Sequence, residues 1–328
     1  AWIPKGFAVG TSNNINKIDD GLVITSQIDD NHHSIGNEFV WIPVTDADLG
    51  EMYQEQPNQA LSTYTGVSVT TDVYSKLRNA NGNGSYIQGT PGSTTYREPD
   101  FLNNTTDGDA STTSGRGINL ITETFGFTGS NAEILTQFAN MLVDEYEATY
   151  ASIEKYDGFY IGRYELTGSL EEPTVKYGEE VLTADASKAE NWYNLYKACS
   201  TVSTGEAQST MIYGNQWDEV LDWLYDTEEK SQSELYTNSS SWGNYGSNTP
   251  RTSGFSEVWK ANNIYDLAGY YWEWTQEAGY TNYRICRGGG YHRSGSLNPA
   301  SFRNYDNPYY SYGNISSRVA LYVDLNAV

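Results

Sequence analysis

From Asn263 to Val323 the chain alternates two kinds of segment. Short phrases, Asn263-Ile264-Tyr265-Asp266-Leu267-Ala268-Gly269, Trp272-Glu273-Trp274-Thr275, Arg287-Gly288-Gly289 and Arg318-Val319-Ala320-Leu321-Tyr322, alternate with stretches crowded with Tyr, Asn, Ser, Asp and Gly. The phrases constrain the fold most. In a strand, Trp272 and Trp274 lie on one face and bury both indoles, while Glu273 turns to the opposite face or to a buried partner. Arg287 and Arg318 read as scaffold residues that pair with carboxylates or bond the backbone. The stretches between the phrases have the composition of a recognition surface. Tyr supplies rigid amphipathic contact area, and Ser, Gly and Asn supply adaptable hydrogen bonding.

The same region has a compositional gap. From Ala278 to Val328 there is no Lys, Glu, Gln, Met or Trp, although the preceding residues use all five. Every codon for Glu, Gln, Lys, Met and Trp ends in a purine, whereas each residue type that does occur has a codon ending in a pyrimidine. A segment built from AAC-type codons and randomised at adenine draws on this restricted set. The competing reading is composition drift in a loop-rich surface.

The chain has 328 residues, enough for one large domain or two ordinary ones. Its net charge of -23 and pI near 4.3 disfavour nucleic-acid and anionic-membrane partners. With 28 Tyr, 9 Trp and 31 Gly against 9 Pro, it reads as globular, β-rich and loop-rich. Cys199 and Cys286 form neither a disulfide framework nor a zinc spacing, and the sequence leaves open whether they pair. No apolar run reaches membrane-spanning length. The Ala1-Trp2-Ile3-Pro4 start, without Met, suggests a trimmed or processed product.

In chain order, residues 1–45 read as strands, chiefly Gly21 to Thr25 and Glu38 to Val44. Residues 46–130 are polar and rich in Gly, Asn and Thr, as expected of a long surface insertion. A helix is predicted over 131–156 with Asn131 as N-cap, followed by a strand at Gly158 to Glu165. Further helices are predicted over 188–201 and 216–224, the latter with Val220, Leu221 and Leu224 inward, and Arg318 to Val323 reads as a closing strand. The pattern is that of a mixed α+β protein with an antiparallel sheet and two or three helices rather than alternating βαβ units.

Four phrases in this order, Gly158-Phe159-Tyr160-Ile161-Gly162-Arg163-Tyr164-Glu165, Tyr265-Asp266-Leu267-Ala268-Gly269-x-x-Trp272-Glu273-Trp274-Thr275, Arg287-Gly288-Gly289 and Arg318-Val319-Ala320-Leu321, resemble the formylglycine-generating-enzyme (sulfatase-modifying) domain. That family is a variant of the C-type lectin fold. The resemblance covers roughly residues 35–325 and implies a single C-type-lectin-like domain over 1–328. Oxidase members carry a copper-binding cysteine pair shortly after the Arg-Gly-Gly phrase. Here Gly290-Tyr291-His292-Arg293-Ser294-Gly295-Ser296-Leu297-Asn298 contains none, so the resemblance does not carry oxidase activity over.

The segment more closely resembles the variable proteins of diversity-generating retroelements, whose lectin-like C-terminal domain displays residues randomised at adenines. By that resemblance Arg287-Gly288-Gly289, Gly295-Ser296, Pro299-Ala300-Ser301, Arg303, Pro308 and Arg318 to Tyr322 are scaffold, within a variable region over 263–323. The ligand-binding candidates are Tyr280, Asn282, Tyr283, Tyr291, His292, Arg293, Leu297, Phe302, Asn304, Tyr305, Asp306, Tyr309, Tyr310, Tyr312 and Asn314. Tyr270 departs from the family pattern, where Asn is usual, which puts any calcium site near Glu273 in doubt.

Other chemistry is weakly signalled. Glu98-Pro99-Asp100 superficially resembles a calcium-and-sugar motif, and Asp107-Gly108-Asp109 offers two carboxylates without an EF-hand pattern; solvated turns account for both. His32, His33 and His292 have no metal spacing, and neither a phosphate loop nor a GxSxG nucleophile elbow is present. The expectation is therefore a non-enzymatic recognition protein without cofactor or metal, displayed on a virion or cell surface. Its expected partner is a protein or glycan receptor on a cell surface. The rivals are a formylglycine-generating-type oxidase and a structural surface or tail subunit.

Overall fold

The computed structural model describes residues 1–10, 18–52, 86–87, 90–91, 116–185, 190–246, 251–279 and 283–327. Two sheets carry the architecture. Their strands are β1 (Ala8–Val9), β2 (Val23–Thr25), β3 (Glu38–Pro43), β4 (Gly158–Gly162), β5 (Ala207–Met211), β6 (Trp272–Gly279), β7 (Tyr283–Arg287), β8 (Arg303–Asp306), β9 (Ile315–Ser317) and β10 (Val319–Val323). The larger sheet has the order β1-β2-β3-β4-β10-β5, and every neighbouring pair is antiparallel. The smaller has the order β8-β7-β6-β9, antiparallel except for the parallel pairing of β6 with β9.

The larger sheet is covered on both faces, and the alternation of its strands shows how. Ile24, Phe39, Trp41, Tyr160, Val319 and Leu321 enter one apolar core. Their neighbours Val23, Val40, Ile42, Phe159, Ile161 and Ala320 enter the other. A period of two delivers alternate side chains to opposite faces, so uninterrupted apolar runs such as Phe39-Val40-Trp41-Ile42 mark strands buried on both sides. The first core is completed by helices α2 (Arg116–Phe125), α3 (Asn131–Tyr156) and α4 (Trp192–Thr201), with Trp272, Trp274 and Ile315 of the smaller sheet. The second is completed by α5 (Gly214–Asp226), α6 (Gln232–Tyr236) and Met52 of α1 (Asp46–Met52).

The three predicted helices are present, and the described residues add α1, α2 and α6; α1 and α6 are too short to stand out by periodicity, whereas α2 carries Ile118, Ile121 and Phe125 at helical spacing inside the stretch read as a surface insertion. Helix α3 is capped by Ser130 rather than Asn131. The Ser130 hydroxyl accepts the Glu133 N–H, and the Glu133 carboxylate takes the Ser130 N–H at 2.7 Å, a reciprocal pairing that needs Glu at the third helical position. The chain leaves α3 through Asp157 at φ 58° and Gly158, where a Cβ would stand 2.4 Å from the Ile42 carbonyl oxygen. Helix α4 starts at Trp192, later than predicted, because Asn191 caps the Tyr193 and Asn194 N–H groups.

Within the expected surface insertion over 46–130, both described ends are helical. Met52 of α1 and Ile118 and Ile121 of α2 are buried, so these ends belong to the packed body. Glu98-Pro99-Asp100 and Asp107-Gly108-Asp109 lie outside the described residues.

Candidate ligand-binding face

The face is built on the smaller sheet, and its foundations are ionic. Arg318, between β9 and β10, sits where the chain passes from one sheet to the other and is fully buried. Its Nε and Nη2 bond the two Glu273 carboxylate oxygens at 2.9 and 2.6 Å, and Nη1 and Nη2 donate to the carbonyls of Gly162 and Tyr265 at 2.9 Å each. One guanidinium thus staples β6 to β4 and to the Tyr265 segment. Glu273 is the predicted strand glutamate, and its buried partner is Arg318.

Glu165 lies against this pair. Burial, and next the charge of Glu273, hold its carboxyl well above the usual range; burial raises Glu273 as well, against the opposing charge and hydrogen bonds of Arg318. Asp266 is likewise pushed up to about 7, chiefly by burial, although it accepts the Gly254 N–H at 3.1 Å.

A second ionic group joins helix to sheet. Asp218 of α5 accepts Arg287 Nη2 at 2.7 Å and Arg303 Nη2 at 2.6 Å, while Glu277 of β6 accepts Arg303 Nε at 2.8 Å and lies 3.5 Å from Arg287 Nη1. The charges alternate around a closed ring whose corners sit on α5, β6, β7 and β8. Arg287 and Arg303 stand opposite each other in the β7–β8 ladder, which sets the spacing. Arg284 is also buried, 4.4 Å above the Trp192 ring.

On this base the loops are tied at their small residues. The Tyr245 hydroxyl donates to the carbonyls of Gly288 and Asn298, at 3.1 and 2.8 Å, closing the 288–298 loop on itself. Gly289 has φ 86°, and a Cβ there would lie 2.5 Å from the Asn298 oxygen, so a larger residue fails on both conformation and space. The Ser239 N–H bonds the Gly295 carbonyl at 3.1 Å, the Ser239 hydroxyl accepts the Ala300 N–H at 2.9 Å, and the Trp217 indole donates to the Ala300 oxygen at 3.1 Å. Gly295, Pro299, Ala300, Ser301 and Pro308 are buried, whereas Ser296 is exposed.

Twelve of the fifteen ligand-binding candidates fall into three groups by exposure. His292, Arg293, Leu297, Tyr305 and Tyr310 are exposed, Leu297 by 68% and Tyr305 by 44%. Tyr291, Phe302, Asn304, Asp306, Tyr312 and Asn314 are half-buried, with Phe302 leaning on Trp272 and the Tyr312 hydroxyl bonded to Asp306. Tyr309 is buried in the first core at 6% exposure, so its side chain supports the face from below. Tyr283 lies in β7, and Tyr280 and Asn282 lie outside the described residues. Rings run on across the face: Tyr309 to Tyr310 at 4.7 Å, Tyr310 to Tyr312 at 6.3 Å, and Tyr271 to Tyr291 to His292 at 5.5 and 5.3 Å. Burial and the neighbouring Arg293 lower the His292 pKa, so the ring is neutral near neutral pH.

Tyr270 and Tyr271, neither of them among the ligand-binding candidates, precede the Trp-Glu-Trp strand and continue this aromatic row inward at 4.8 Å. The backbone at Tyr270 has φ 69°, a region favourable to Asn, which gives a physical reason for Asn at that place in the resembling family. Cys199 and Cys286 are buried free thiols. Burial pushes Cys199 up to about 12 and Cys286 well above its usual range, which leaves both poor nucleophiles and poor copper ligands. Among the described residues no group of three or more His, Cys, Asp or Glu is arranged to hold a metal, and no helix is long and apolar enough to cross a membrane.

Fold and site together define a mixed helix-and-sheet protein with antiparallel sheets and a tyrosine-rich loop face on a buried ionic base. No protein-family model matches the chain, and no curated protein matches it. Among solved structures it is similar to the Major Tropism Determinant U1 Variant and the Major Tropism Determinant M1 Variant, each with 15% identity and a TM-score of 0.37. Each match covers 50% of this chain and 51% of the other, so the chain spans about half the length of those two proteins. It is also similar to Treponema denticola variable protein 1, with 11% identity and a TM-score of 0.24 over 98% of this chain and 92% of that one.

Proposed function

We propose that this chain is a diversity-generating-retroelement variable protein with a C-type-lectin-like fold of the formylglycine-generating-enzyme type. It recognises a receptor non-covalently through the tyrosine-rich face, displayed on a virion or cell surface. The carrying observation is a segregation. Buried small and charged residues (Gly295, Ala300, Ser301, Arg287, Arg318) hold the loops, and Tyr, His, Arg and Leu residues occupy exposed positions between them. Substitutions at such exposed positions typically change stability by only about half a kcal/mol, so the face tolerates exchange. Tyr305 and Tyr310 serve as aromatic anchors in this reading, with Asn304 and Asn314 as polar contacts around them.

The test is the encoding gene and its flanks. A nearby near-copy of the 3′ end that differs only at its adenines, at codons for the exposed positions, supports the reading. Ordinary codons over 278–328 with no such copy overturn it. The partner is a protein or glycan receptor, and display of the chain against surface fractions of candidate host cells separates the two when the fractions are pretreated with protease or glycosidase.

A further inference from the structure

Residues 180–184 run extended with one side paired and the other open. The Leu182 N–H donates to the Leu166 carbonyl at 2.8 Å and the Gly168 N–H to the Glu180 carbonyl at 3.3 Å, flanking the antiparallel pair of Thr167 and Val181. The Ala184 N–H continues this line to the Ile315 carbonyl at 2.8 Å. Alternate residues of an extended chain direct their main-chain groups to opposite sides, so Val181 and Thr183 point theirs away from that line. Among the described residues the Val181 N–H, the Val181 carbonyl and the Thr183 N–H make no hydrogen bond. This open edge borders a cavity of about 640 Å³ whose wall includes Val181, Thr183, Phe255 and Tyr271. We infer that the cavity is a slot for one extended, uncharged peptide segment of a partner, apolar at its centre, which adds to 181–183 as an antiparallel strand.

The main-chain pattern selects a strand as occupant. A partner residue opposite Val181 exchanges both of its main-chain bonds with it, and the residue two positions away accepts the Thr183 N–H. The slot has a second wall at hand. Ser253 is bonded to the segment before the edge, through its N–H to the Glu179 carbonyl and its carbonyl to the Gly178 N–H, both at 2.9 Å, and Arg251, Thr252 and Phe255 around it line the same cavity. Phe255 is 53% exposed and Val181 half-buried, so an apolar side chain of the partner has surface to cover. The exposed Glu180 and Arg251 bring opposite charges to the wall, which favours neither sign. Tyr271 touches Tyr291 edge-on at 5.5 Å, so the slot adjoins the tyrosine-rich face. It rests on main-chain geometry and stands whether or not that face is diversified.

The test is calorimetric titration of the purified chain with the capped pentapeptide acetyl-Ser-Val-Phe-Val-Ser-amide and with the same peptide N-methylated at its three central residues. Methylation keeps every side chain and removes the main-chain donors. The expected result is saturable binding of the first peptide, with the methylated one at least about tenfold weaker. Val181→Pro removes the outward N–H, leaves the Leu182 and Gly168 bonds in place, and weakens the first peptide by about tenfold. Phe255→Ala, at an exposed position, weakens it by a similar factor, about tenfold. The inference is overturned by absence of saturable binding, by equal binding of the two peptides, or by a folded Val181→Pro chain that binds as the parent does. Unchanged circular dichroism in the variants ties any loss to the slot, and the methylated peptide decides the matter on the parent chain alone should Val181→Pro fail to fold.

Discussion

Arg318 makes four hydrogen bonds to three segments with no water around it, so its removal strands several groups at once. Arg318→Met leaves Glu273 without its partner and two carbonyls without a donor, and is expected to cost about 3–5 kcal/mol in denaturant unfolding. Adding Glu273→Leu recovers only part of that loss, because the carbonyls of Gly162 and Tyr265 stay unbonded. Asp266 makes a pH prediction of definite sign. Its folded pKa, about 7, lies above the unfolded value near 3.9, so the folded state binds the proton more tightly. The Asp266 contribution is therefore most favourable at low pH and is lost as pH rises through about 7. Unfolding free energies measured across that window should fall with pH, and Asp266→Asn should flatten the slope. A parent chain whose stability does not fall over this window would contradict the assignment.

At the scale of elements, the ring of Asp218, Glu277, Arg287 and Arg303 is what holds α5 against the face. Asp218→Ala leaves two arginines crowding one carboxylate, Arg287 with no exposure to water. The expected outcome is destabilisation of about 3 kcal/mol, with faster amide exchange in β7 and β8 than in the larger sheet. Ser130→Ala removes one half of the α3 capping box and is expected to cost about 1 kcal/mol, read as a lowered unfolding midpoint. These elements differ in how plainly they could be read beforehand. Helix α3 carries Ile134, Phe138, Leu142 and Tyr146 at four-residue steps, a period its own residues impose. Helix α6 spans only Gln232–Tyr236 and is stabilised by Leu235 and Tyr236 entering a core made elsewhere, so no local period announces it.

For the whole molecule, the net charge of -23 implies self-repulsion in the folded state that salt relieves, so the thermal midpoint should rise from low to physiological ionic strength. The face itself makes the complementary prediction. Replacing Leu297, Tyr305 and Tyr310 together by Ser should leave the unfolding free energy within about 1 kcal/mol of the parent, while the proposed receptor binding should be lost. The same change at Tyr309, buried at 6% exposure, should destabilise by several times more.

That contrast marks the boundary between sequence and fold. The apolar runs of β2, β3, β4 and β10, the α3 period and the tryptophan pair flanking Glu273 are local patterns. Each follows from geometry within a few residues, and so was legible in the chain alone. Which tyrosine of Tyr309-Tyr310 faces water, that Arg318 meets Glu273 while Arg287 and Arg303 share Asp218 and Glu277, and that Tyr271 joins the face to a cavity were decided by tertiary structure. Those contacts span tens to more than a hundred positions of chain, as from Arg318 to Gly162, and nothing within either segment encodes the distance to the other.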